Sequence, residues 1–459
     1  MTREELDYLL EIQKEFFRQG NTLPYKWRKK KLLELKANIK KYEKELLEGL
    51  RQDLGKSHSE GYMCEVGLVY DEISHMVKHI KKYASPKKVR TPLAQTISKS
   101  FRFPSPYGTV LVMSPWNYPF LLSFDPIVDA LAAGNTILFK PSRYSSHTNV
   151  VMKKILDETF TCNEVITIFG GHEENQLVLD SKVDYIFFTG GKVVGKIVYE
   201  KAMEKMIPFS LELGGKSPCI VDNTAKIKLS AKRIVFGKLL NAGQTCVAPD
   251  YLYCHEDIKD ELVKEIIHQI KEQYGDNPLQ NDAFGKMISK RHFDKVVSLM
   301  ENQNIIYGGK SDETSLKIEP TIIDNPKLDS LIMQEEIFGP LLPVITFKNI
   351  DEVIKYVNNG DSPLALYYFS KNKKDINKVI SSVAFGGGCI NDTIIHLATS
   401  HMPFGGVGAS GIGAYHGKAG FDTFVHYKSI VDKKTILDLP MRYQPYKKVN
   451  DKLIRMFLK

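Results

Sequence analysis

Cys246 carries the most informative chemistry in the sequence. It lies in the run Asn-Ala-Gly-Gln-Thr-Cys-Val-Ala-Pro, between a flexible glycine and a rigid proline and beside small polar residues. A cysteine thiol is already a good nucleophile near neutral pH, because a few per cent of it is ionised, and it needs only modest activation. The small neighbours also predict that the sulfur is not deeply buried. The run therefore favours a catalytic thiol, and a small buried hydrophobic residue is the alternative that it leaves open.

A carboxylate and an amide are the candidates to assist this thiol. Glu212 lies in Leu-Glu-Leu-Gly-Gly, where apolar neighbours raise the pKa of a carboxyl group into the range of a general base. An exposed glutamate at a strand edge is the alternative. Asn117 lies in Pro-Trp-Asn-Tyr-Pro, and the two prolines stiffen this loop. Its amide is therefore expected to be preorganised as a donor to an oxyanion, with a turn asparagine that bonds its own backbone as the alternative.

Two glycine-rich segments differ in what they predict. Residues 190–197 nearly match a P-loop, but Ile197 stands where a hydroxyl must meet magnesium, which excludes a nucleotide triphosphatase. A strand ends near Phe188 and a helix begins near Val194, so backbone N–H groups there suit a pyrophosphate, with a plain tight turn as the alternative. Residues 406–411 match G-x-G-x-x-G without a preceding strand, which favours a loop.

The elements that must position these residues alternate between strands and helices. Short apolar strands are predicted near residues 108–113, 136–139, 164–169 and 184–188, and helices near 120–133, 146–160 and 194–205. A second alternation runs from about residue 217 to 390, and the alternation predicts parallel sheets covered by helices on both faces. Residues up to about 85 have helical spacing, and residues 421–431 predict a strand that pairs elsewhere.

Composition and charge narrow the function classes. A chain of 459 residues predicts two or three domains. The net charge of +9 is scattered, and its densest run, near residues 28–47, has the spacing of an amphipathic helix with a solvated basic face. Nucleic acid is therefore not an expected partner. The twelve histidines and six cysteines show no metal-ligand spacing and no disulfide framework.

The same features predict a cytoplasmic protein. The cysteines lack a disulfide pattern, and no uncharged apolar run reaches membrane-spanning length. The last eight residues, 452–459, are basic and amphipathic and can contact an anionic membrane surface. Docking of this tail on the body of the protein or on a second subunit is the favoured alternative.

Seven segments, taken together and in this order, resemble the aldehyde dehydrogenase superfamily, and they are closest to its class 3 branch, which acts on fatty and aromatic aldehydes. They are residues 115–119, 140–142, 188–190 with Gly195, 211–218, 243–246, 335–340 and 403–406. Any one of them is a weak signal, whereas seven in register are highly specific and span nearly the whole chain. The short N-terminal region and residues 415–418 resemble class 3 in particular.

The resemblance implies an α/β fold with a Rossmann-like cofactor domain, an α/β catalytic domain and a small β-extension for oligomerisation. It assigns residues 1–211 to the cofactor domain, with 401–420 returning to it, and residues 212–400 to the catalytic thiol domain. Residues 421–459 would form an oligomerisation strand and tail, and residues 86–104 are a further candidate for the extension. A homodimer is implied.

The resemblance also assigns roles to the residues already singled out. Cys246 is implied to attack the aldehyde and form a thiohemiacetal and then a thioester. Asn117 and the backbone N–H of Cys246 are implied to hold the oxyanion, and Glu212 to activate the water that releases the acid. The residues implied to bind NAD or NADP are Lys140, Arg143, Gly190, Gly191, Gly195, Glu336 and Phe338. The implied reaction is NAD(P)-dependent oxidation of an apolar aldehyde, aliphatic of medium or long chain or aromatic, and no metal is implied.

Two other functions stay open at this point. In the first, an acylating dehydrogenase passes the acyl group to coenzyme A rather than to water. Glu212 argues against it, since acylating relatives tend to lack that base. In the second, the fold serves a non-catalytic binding protein, and the presence of Cys246, Glu212 and Asn117 together argues against that reading.

Two residues depart from the family pattern. Many relatives have a glutamate after Lys-Pro-Ser that bonds ribose hydroxyls, and Arg143 stands there in this chain. An arginine in that place can meet a 2′-phosphate, which makes NADP a rival to NAD, or it can point to solvent. Gly191 replaces a frequent serine, which removes one hydroxyl contact to phosphate.

We expect the substitution Arg143→Glu to shift the kcat/KM preference toward NAD, because a carboxylate bonds ribose hydroxyls and repels a 2′-phosphate. Steady-state assays of one aldehyde with both cofactors measure the ratio. An unchanged ratio would exclude a phosphate-binding role for Arg143.

Overall fold

The computed structural model describes residues 1–95, 97–446 and 448–457. The α-helices are α1 (Arg3–Arg18), α2 (Tyr25–Leu54), α3 (His58–Gly61), α4 (Gly67–Tyr83), α5 (Leu121–Ala133), α6 (Ser146–Thr159), α7 (His172–Asp180), α8 (Lys192–Lys205), α9 (Ile227–Leu239), α10 (Lys259–Tyr274), α11 (Lys290–Ser298), α12 (Leu331–Gln334), α13 (Ile350–Asn358), α14 (Lys373–Ser382), α15 (Gly417–Thr423) and α16 (Lys448–Phe457).

The strands are β1 (Lys87–Val89), β2 (Ser98–Pro106), β3 (Thr109–Met113), β4 (Thr136–Lys140), β5 (Val165–Thr167), β6 (Tyr185–Gly190), β7 (Phe209–Leu213), β8 (Pro218–Val221), β9 (Tyr251–His255), β10 (Ile305–Tyr307), β11 (Ser311–Asp312), β12 (Lys317–Ile318), β13 (Thr321–Asp324), β14 (Leu341–Phe347), β15 (Ala365–Phe369), β16 (Gly387–Ile390), β17 (Gly411–Ile412) and β18 (Val425–Lys433).

Two large sheets organise the molecule, and both are mostly parallel, as the alternation of strands and helices predicts. The first has the order β17-β7-β6-β3-β4-β5, and only β17 runs antiparallel to its neighbour. The second has the order β10-β13-β14-β9-β8-β15-β16, and only β10 runs antiparallel. The α/β fold class is thereby confirmed.

The first sheet is buried on both faces because its strands alternate between two apolar layers. Val110 and Val112 of β3 belong to one core cluster, together with buried residues of α2, α4 and α5. Leu111 of the same strand belongs to another cluster, with Leu6 and Leu10 of α1. Successive side chains of a strand point to opposite faces, so each residue of β3 finds an apolar partner layer.

The predicted stop of the helix near residues 120–133 is confirmed. Helix α5 ends at Ala133, and Gly134 follows with φ 102° and a left-handed backbone. Glycine adopts this conformation without the steric penalty of a side chain. The stop returns the chain directly into β4, and β3 and β4 together carry the candidate residues Asn117 and Lys140 at or beyond their carboxyl ends.

The strand predicted for residues 421–431 is partly wrong. Residues up to Thr423 end helix α15, and the strand β18 begins only at Val425. Phe421 and Phe424 are both buried and stand three residues apart, which is the spacing of a helical turn rather than of a strand. The Phe421 ring packs 5.6 Å from the ring of Tyr83 in α4, and this contact holds the segment as a helix against the body.

A separate three-stranded sheet, with the order β1-β2-β18, brings together the two segments considered for oligomerisation. Strands β2 and β18 pair antiparallel from Val425 opposite Pro106 to Lys433 opposite Ser98. The division of the chain into domains stays a prediction.

In the tail, α16 forms an amphipathic helix in which Val449 and Met456 are exposed. Within the described ranges, no helix combines the length and hydrophobicity needed to cross a membrane.

Candidate active site

A cavity of about 1470 Å³ collects most of the candidate residues. Its walls come from loops at the carboxyl ends of strands in the first sheet and from loops of the second half of the chain. Clefts in α/β proteins lie at this end of the strands because the chain leaves the sheet there. The candidate residues that line it are Asn117, Gly190, Gly191, Glu212, Cys246, Glu336 and Phe338.

The loop before Cys246 has an unusual backbone. Asn241 and Ala242 have φ 51°, and Gly243 has φ 76°, so three successive residues are left-handed. A Cβ on Gly243 would lie 2.3 Å from the carbonyl oxygen of Gly339, so only glycine fits where this loop passes the turn after Phe338. A left-handed alanine costs about 1–2 kcal/mol. Surrounding contacts must therefore hold this loop in place.

The Cys246 thiol is more strongly protonated than its sequence neighbours predict. Burial raises its pKa to about 12, and the negative charges of Glu336 and Glu212 add to the effect. The expectation of a few per cent thiolate near neutral pH is therefore wrong for this structure. The small neighbours along the chain leave the residue partly exposed, but residues distant in sequence surround the sulfur and remove it from water. The thiol must lose its proton to a base before or during attack.

Glu212 is buried, which excludes the exposed strand-edge alternative. It lies in β7, opposite Gly411 on the antiparallel strand β17. Burial raises the pKa of its carboxyl group well above the ordinary value, in the direction expected from its leucine neighbours. Neither carboxyl oxygen has a hydrogen-bond partner among the described residues. Such an unpartnered buried acid is costly and is typical of a group that meets a ligand or water.

Asn117 bonds to the loop that carries Cys246 rather than to its own turn. Its side-chain amide donates to the carbonyl oxygen of Gln244 at 3.0 Å, two residues before Cys246. This partner excludes the local turn alternative. The amide carries a second N–H, which this bond does not use.

The backbone of Asn117 is held as firmly as its side chain. Its carbonyl oxygen accepts one hydrogen bond from the Asn241 amide at 2.7 Å and one from the Lys56 ammonium at 2.9 Å. Asn241 also donates to the carbonyl of Gln244 at 3.1 Å. The sequence predicts none of these contacts for Lys56 or Asn241, because neither residue has a neighbour along the chain that signals the role.

The glycines at the end of β6 and after it have two different structural roles. Gly190 and Gly191 line the cavity, and Gly191 precedes α8 without a side-chain cap, which leaves the first N–H groups of the helix open to a ligand. The strand-turn-helix order predicted here is confirmed, with the helix beginning at Lys192. Gly195 does not line the cavity. A Cβ there would lie 2.6 Å from a Leu213 methyl, so it allows α8 to pack closely on β7.

Glu336 and Phe338 lie on a loop that an ion pair between a half-buried lysine and a buried aspartate holds. The Lys216 ammonium contacts Asp250 at 2.5 Å and donates to the carbonyls of Ile332 and Glu335 at 2.8 Å each. Burial raises the pKa of Glu336 to about 8, and the charge of Asp250 contributes. The Phe338 ring meets the Trp116 ring edge-on at 5.4 Å. Lys216 belongs to the run Leu-Glu-Leu-Gly-Gly-Lys, but the run alone predicts no such role.

Lys140 and Arg143 do not line this cavity. The Lys140 ammonium donates to the carbonyls of Gly170 at 2.8 Å and Pro141 at 3.0 Å, and burial lowers its pKa to about 8. Arg143 is exposed and lies 5.2 Å from the centre of the Tyr144 ring, which itself lines the cavity. Hydrogen bonding with Arg143 lowers the pKa of Tyr144. Arg143 thus lies beside the cavity at Tyr144, and Lys140 lies close enough to Arg143 for that charge to contribute to the lowering of its pKa.

The cavity fits a ligand with phosphate and hydroxyl groups. The start of α8 is open, and two polar atoms, Glu336 Oε1 and Thr189 Oγ1, are buried without a hydrogen-bond partner among the described residues. These atoms can accept or donate bonds to ribose hydroxyls, and the helix start can accept a pyrophosphate. No group of three or more metal-ligating side chains occurs in the part of the chain that the structure describes.

The loop predicted for residues 406–411 is confirmed. Residues 408–410 form one turn of 3-10 helix, and Gly411 enters the short strand β17 rather than a dinucleotide-binding helix.

Comparison with known proteins agrees with this geometry. The model of the aldehyde dehydrogenase family matches residues 1–430. The chain is 46% identical over 436 residues to 4,4'-diaponeurosporen-aldehyde dehydrogenase of Staphylococcus aureus, with 95% of each sequence covered. It is 40% identical over 415 residues to aldehyde dehydrogenase family 3 member A2 of Rattus norvegicus, with 90% of this chain and 86% of the relative covered. A solved structure of Staphylococcus aureus AldH in a substrate-bound state matches with a TM-score of 0.97 and 45% identity, over 99% of both chains.

We expect alkylation of Cys246 by iodoacetamide to accelerate about tenfold per pH unit between about pH 7 and 10, because only the thiolate reacts and its pKa is about 12. Mass spectrometry of the Cys246 peptide measures the rate. At about pH 9 to 10, where Glu336 with a pKa of about 8 is ionised, Glu336→Gln should raise the rate, because it removes a negative charge that disfavours the thiolate. Glu335→Gln, at the neighbouring exposed position, is the matched control and should leave the rate unchanged. A plateau near pH 8 in the parent would contradict a buried thiol.

Proposed function

The chain belongs to the aldehyde dehydrogenase family, and from that premise we propose that it oxidises an apolar aldehyde to its carboxylic acid with NAD or NADP. The observation that carries the proposal is the meeting of Cys246, Glu212 and Asn117 in one cavity. The bond from Asn117 to Gln244 ties the amide to the loop of the thiol. A nucleophile, a base and an oxyanion donor in one cleft are what acyl chemistry requires.

Cys246 attacks the carbonyl carbon of the aldehyde. The S–C bond forms, and the carbonyl oxygen becomes an oxyanion held by the second amide N–H of Asn117 and the backbone N–H of Cys246. Loss of one such donor typically costs about 3–4 kcal/mol of transition-state stabilisation. The product of this step is a thiohemiacetal on Cys246.

The raised pKa of the thiol makes its deprotonation a distinct requirement. Solvent water in the filled cleft is the acceptor that we favour, so that Glu212, which lines the same cavity with unpartnered oxygens, stays available for the later hydrolysis. A polar group of a bound substrate or cofactor that bonds this carboxylate would lower its pKa from the value raised by burial. In its ionised form, Glu212 takes a proton from the water that attacks the thioester.

A bound NAD or NADP would supply the hydride acceptor. The residues that would hold it are the open start of α8 after Gly191 for the pyrophosphate, Glu336 for a ribose and Phe338 for packing beside the ring. Lys140 and Arg143 would reach the adenosine end from the edge of the cavity at Tyr144.

Deacylation returns the enzyme to its starting state. The thioester on Cys246 is attacked by water, and Glu212 accepts the proton as the C–O bond forms. The C–S bond then breaks, Glu212 returns the proton to the Cys246 sulfur, and the carboxylic acid leaves. Because Glu212 stands ready to activate water, hydrolysis is favoured over transfer to coenzyme A.

The apolar lining supports an apolar substituent on the aldehyde. Leu122, Phe404 and Tyr415 line the cavity together with Cys246. One relative is named for 4,4'-diaponeurosporen-aldehyde, and the other belongs to family 3. From these two relatives we infer that the substrate is an aliphatic aldehyde of medium or long chain, or an aromatic aldehyde.

The sheet β1-β2-β18 supports a homodimer. Strand β18 lies at its edge and exposes Ile430 and Val431, which suits pairing with a second copy. The free state of every cysteine in the described ranges supports the cytoplasm as the compartment. The tail helix α16 is proposed to dock on a second subunit, with weak contact to an anionic membrane surface as the alternative.

We expect a panel of aliphatic and aromatic aldehydes, assayed with both cofactors, to give reduced cofactor and free carboxylic acid in equal amounts. Cys246→Ala should abolish the activity. An acyl-CoA product formed only when coenzyme A is added would instead identify the acylating alternative. The absence of any cofactor reduction across the panel would support a non-catalytic protein.

Glu212→Gln is expected to give one rapid burst of reduced cofactor and then slow turnover, because the thioester forms but water is not activated. Stopped-flow absorbance at about 340 nm separates the burst from the steady state. If the variant cycles like the parent, Glu212 is not the deacylation base. A lost burst with slow turnover would assign Glu212 to the first deprotonation as well.

A further inference from the structure

A fully buried ion pair lies directly behind Asn117. Lys56 follows the end of α2, and Glu65 lies in a π-helical turn between α3 and α4. Their charged groups are 2.6 Å apart, and both side chains have no exposed surface. Burial raises the pKa of Glu65, while the charge of Lys56 lowers it. No step of the proposed reaction uses either residue.

The pair is bonded to the loop that carries Asn117. The Lys56 ammonium donates to the carbonyl oxygen of Asn117 at 2.9 Å and lies 3.8 Å from the centre of the Tyr118 ring. The second Glu65 oxygen accepts the backbone N–H groups of Phe120 at 2.9 Å and Leu121 at 3.2 Å. These groups begin helix α5, whose own N-cap residue Phe120 offers no side-chain acceptor. Both ends of the loop are therefore held by one pair.

The opposite side of the same carbonyl is held from the nucleophile loop. Asn241 donates its side-chain amide to Asn117 O at 2.7 Å, and its own backbone N–H is accepted by Glu60 at 2.7 Å. The carbonyl thus receives two donors from different parts of the chain. Two donors fix the plane of the peptide that joins Asn117 to Tyr118, and they limit where the Asn117 side chain can point.

We propose that Lys56 is a positioning residue for the oxyanion donor, and that it acts through the Asn117 carbonyl with Glu65 as its anchor. The proposal rests on the proposed function. A buried ion pair is a poor source of stability, because desolvation of both charges offsets their attraction, and a well-packed apolar pair often does as well. Here the ion pair instead fixes the direction in which the Asn117 side chain points. A donor must lie within about 0.5 Å of its productive place, and a displacement of about 1 Å costs about 100-fold in rate.

The test is a double-mutant cycle on the burst rate of reduced cofactor. Lys56→Met should slow the burst about 10- to 100-fold in the parent. In an Asn117→Ala background, the same substitution should slow it less than about threefold, because the group that Lys56 aims is gone. If the two slowing factors multiply, Lys56 acts independently of Asn117 and the proposal is overturned. A parent that reduces no cofactor would defeat the proposed function instead.

A second readout separates aiming from general damage. Alkylation of Cys246 by iodoacetamide forms no oxyanion, so Lys56→Met should alkylate at the parent rate while its burst is slow. A parallel loss of both rates would mean that the substitution has disturbed the site as a whole, which contradicts the proposal.

The matched control is Lys31→Met. Lys31 also bonds a buried partner, Glu164, at 2.7 Å, and its side chain is 18% exposed. Neither residue lines the cavity. Lys31→Met should lower the melting temperature but leave the burst within about twofold of the parent. An equal loss of burst rate in both variants would overturn the proposal.

If the Lys56→Met variant does not fold, the substitution Asn241→Gly tests the proposal instead. It removes the other donor to the Asn117 carbonyl and leaves the ion pair intact, and glycine accepts the left-handed backbone at φ 51°. We expect a slower burst that again fails to multiply with Asn117→Ala. A burst at the parent rate, or factors that multiply, would show that the donors to this carbonyl do not aim the amide.

Discussion

The carbonyl oxygen of Asn117 is the point on which the candidate active site depends. Lys56 reaches it from the N-terminal helices, Asn241 reaches it from the loop of the thiol, and Asn117 itself lies in the loop after a central strand. Further polar contacts join the same parts of the chain, among them Tyr118 with Thr245 at 2.7 Å and the backbone N–H of Asn241 with Glu60 at 2.7 Å. The bond from the Asn117 amide to Gln244 completes the link to Cys246. The relative placement of Cys246 and Asn117, the proposed nucleophile and oxyanion donor, is therefore set by a small polar network.

The network also explains how a strained backbone persists beside the sulfur. Three left-handed residues precede Cys246, and one of them is an alanine. Asn241 is bonded through both its amide and its backbone N–H, and the Gln244 amide donates to the carbonyls of Asn241 and Lys286 at 3.0 Å each. Such conformations persist only when the surroundings determine them several times over, and they concentrate at functional sites.

Burial away from water is a second constraint on the site, and it links the pKa values of the acidic groups that line the cavity. Burial raises the pKa values of Cys246, Glu212 and Glu336, and the carboxyl groups further raise that of the thiol. Without a bound ligand, the thiol of Cys246 and the carboxyl groups of Glu212 and Glu336 therefore favour their neutral forms near neutral pH. Entry of a polar ligand or water changes this balance for the whole cavity, because each charge that is solvated relieves the others. Chemistry at the sulfur is thus linked to filling of the cleft.

Sequence alone determined the fold class, the order of most strands and helices of both sheets, the stop of α5 at Gly134, and the family, because these follow from periodicity, from backbone rules and from seven short segments in register. It also singled out the cysteine, the glutamate and the asparagine that meet in one cavity. Only the tertiary structure decided the ionisation of Cys246, the helix at residues 417–423, the place of Lys140 and Arg143 beside the cavity, and the roles of Lys56, Asn241 and Lys216. The physical reason is that a pKa and a hydrogen bond depend on neighbours in space, and the hydrogen-bond partners of Lys56 lie up to 61 residues away along the chain.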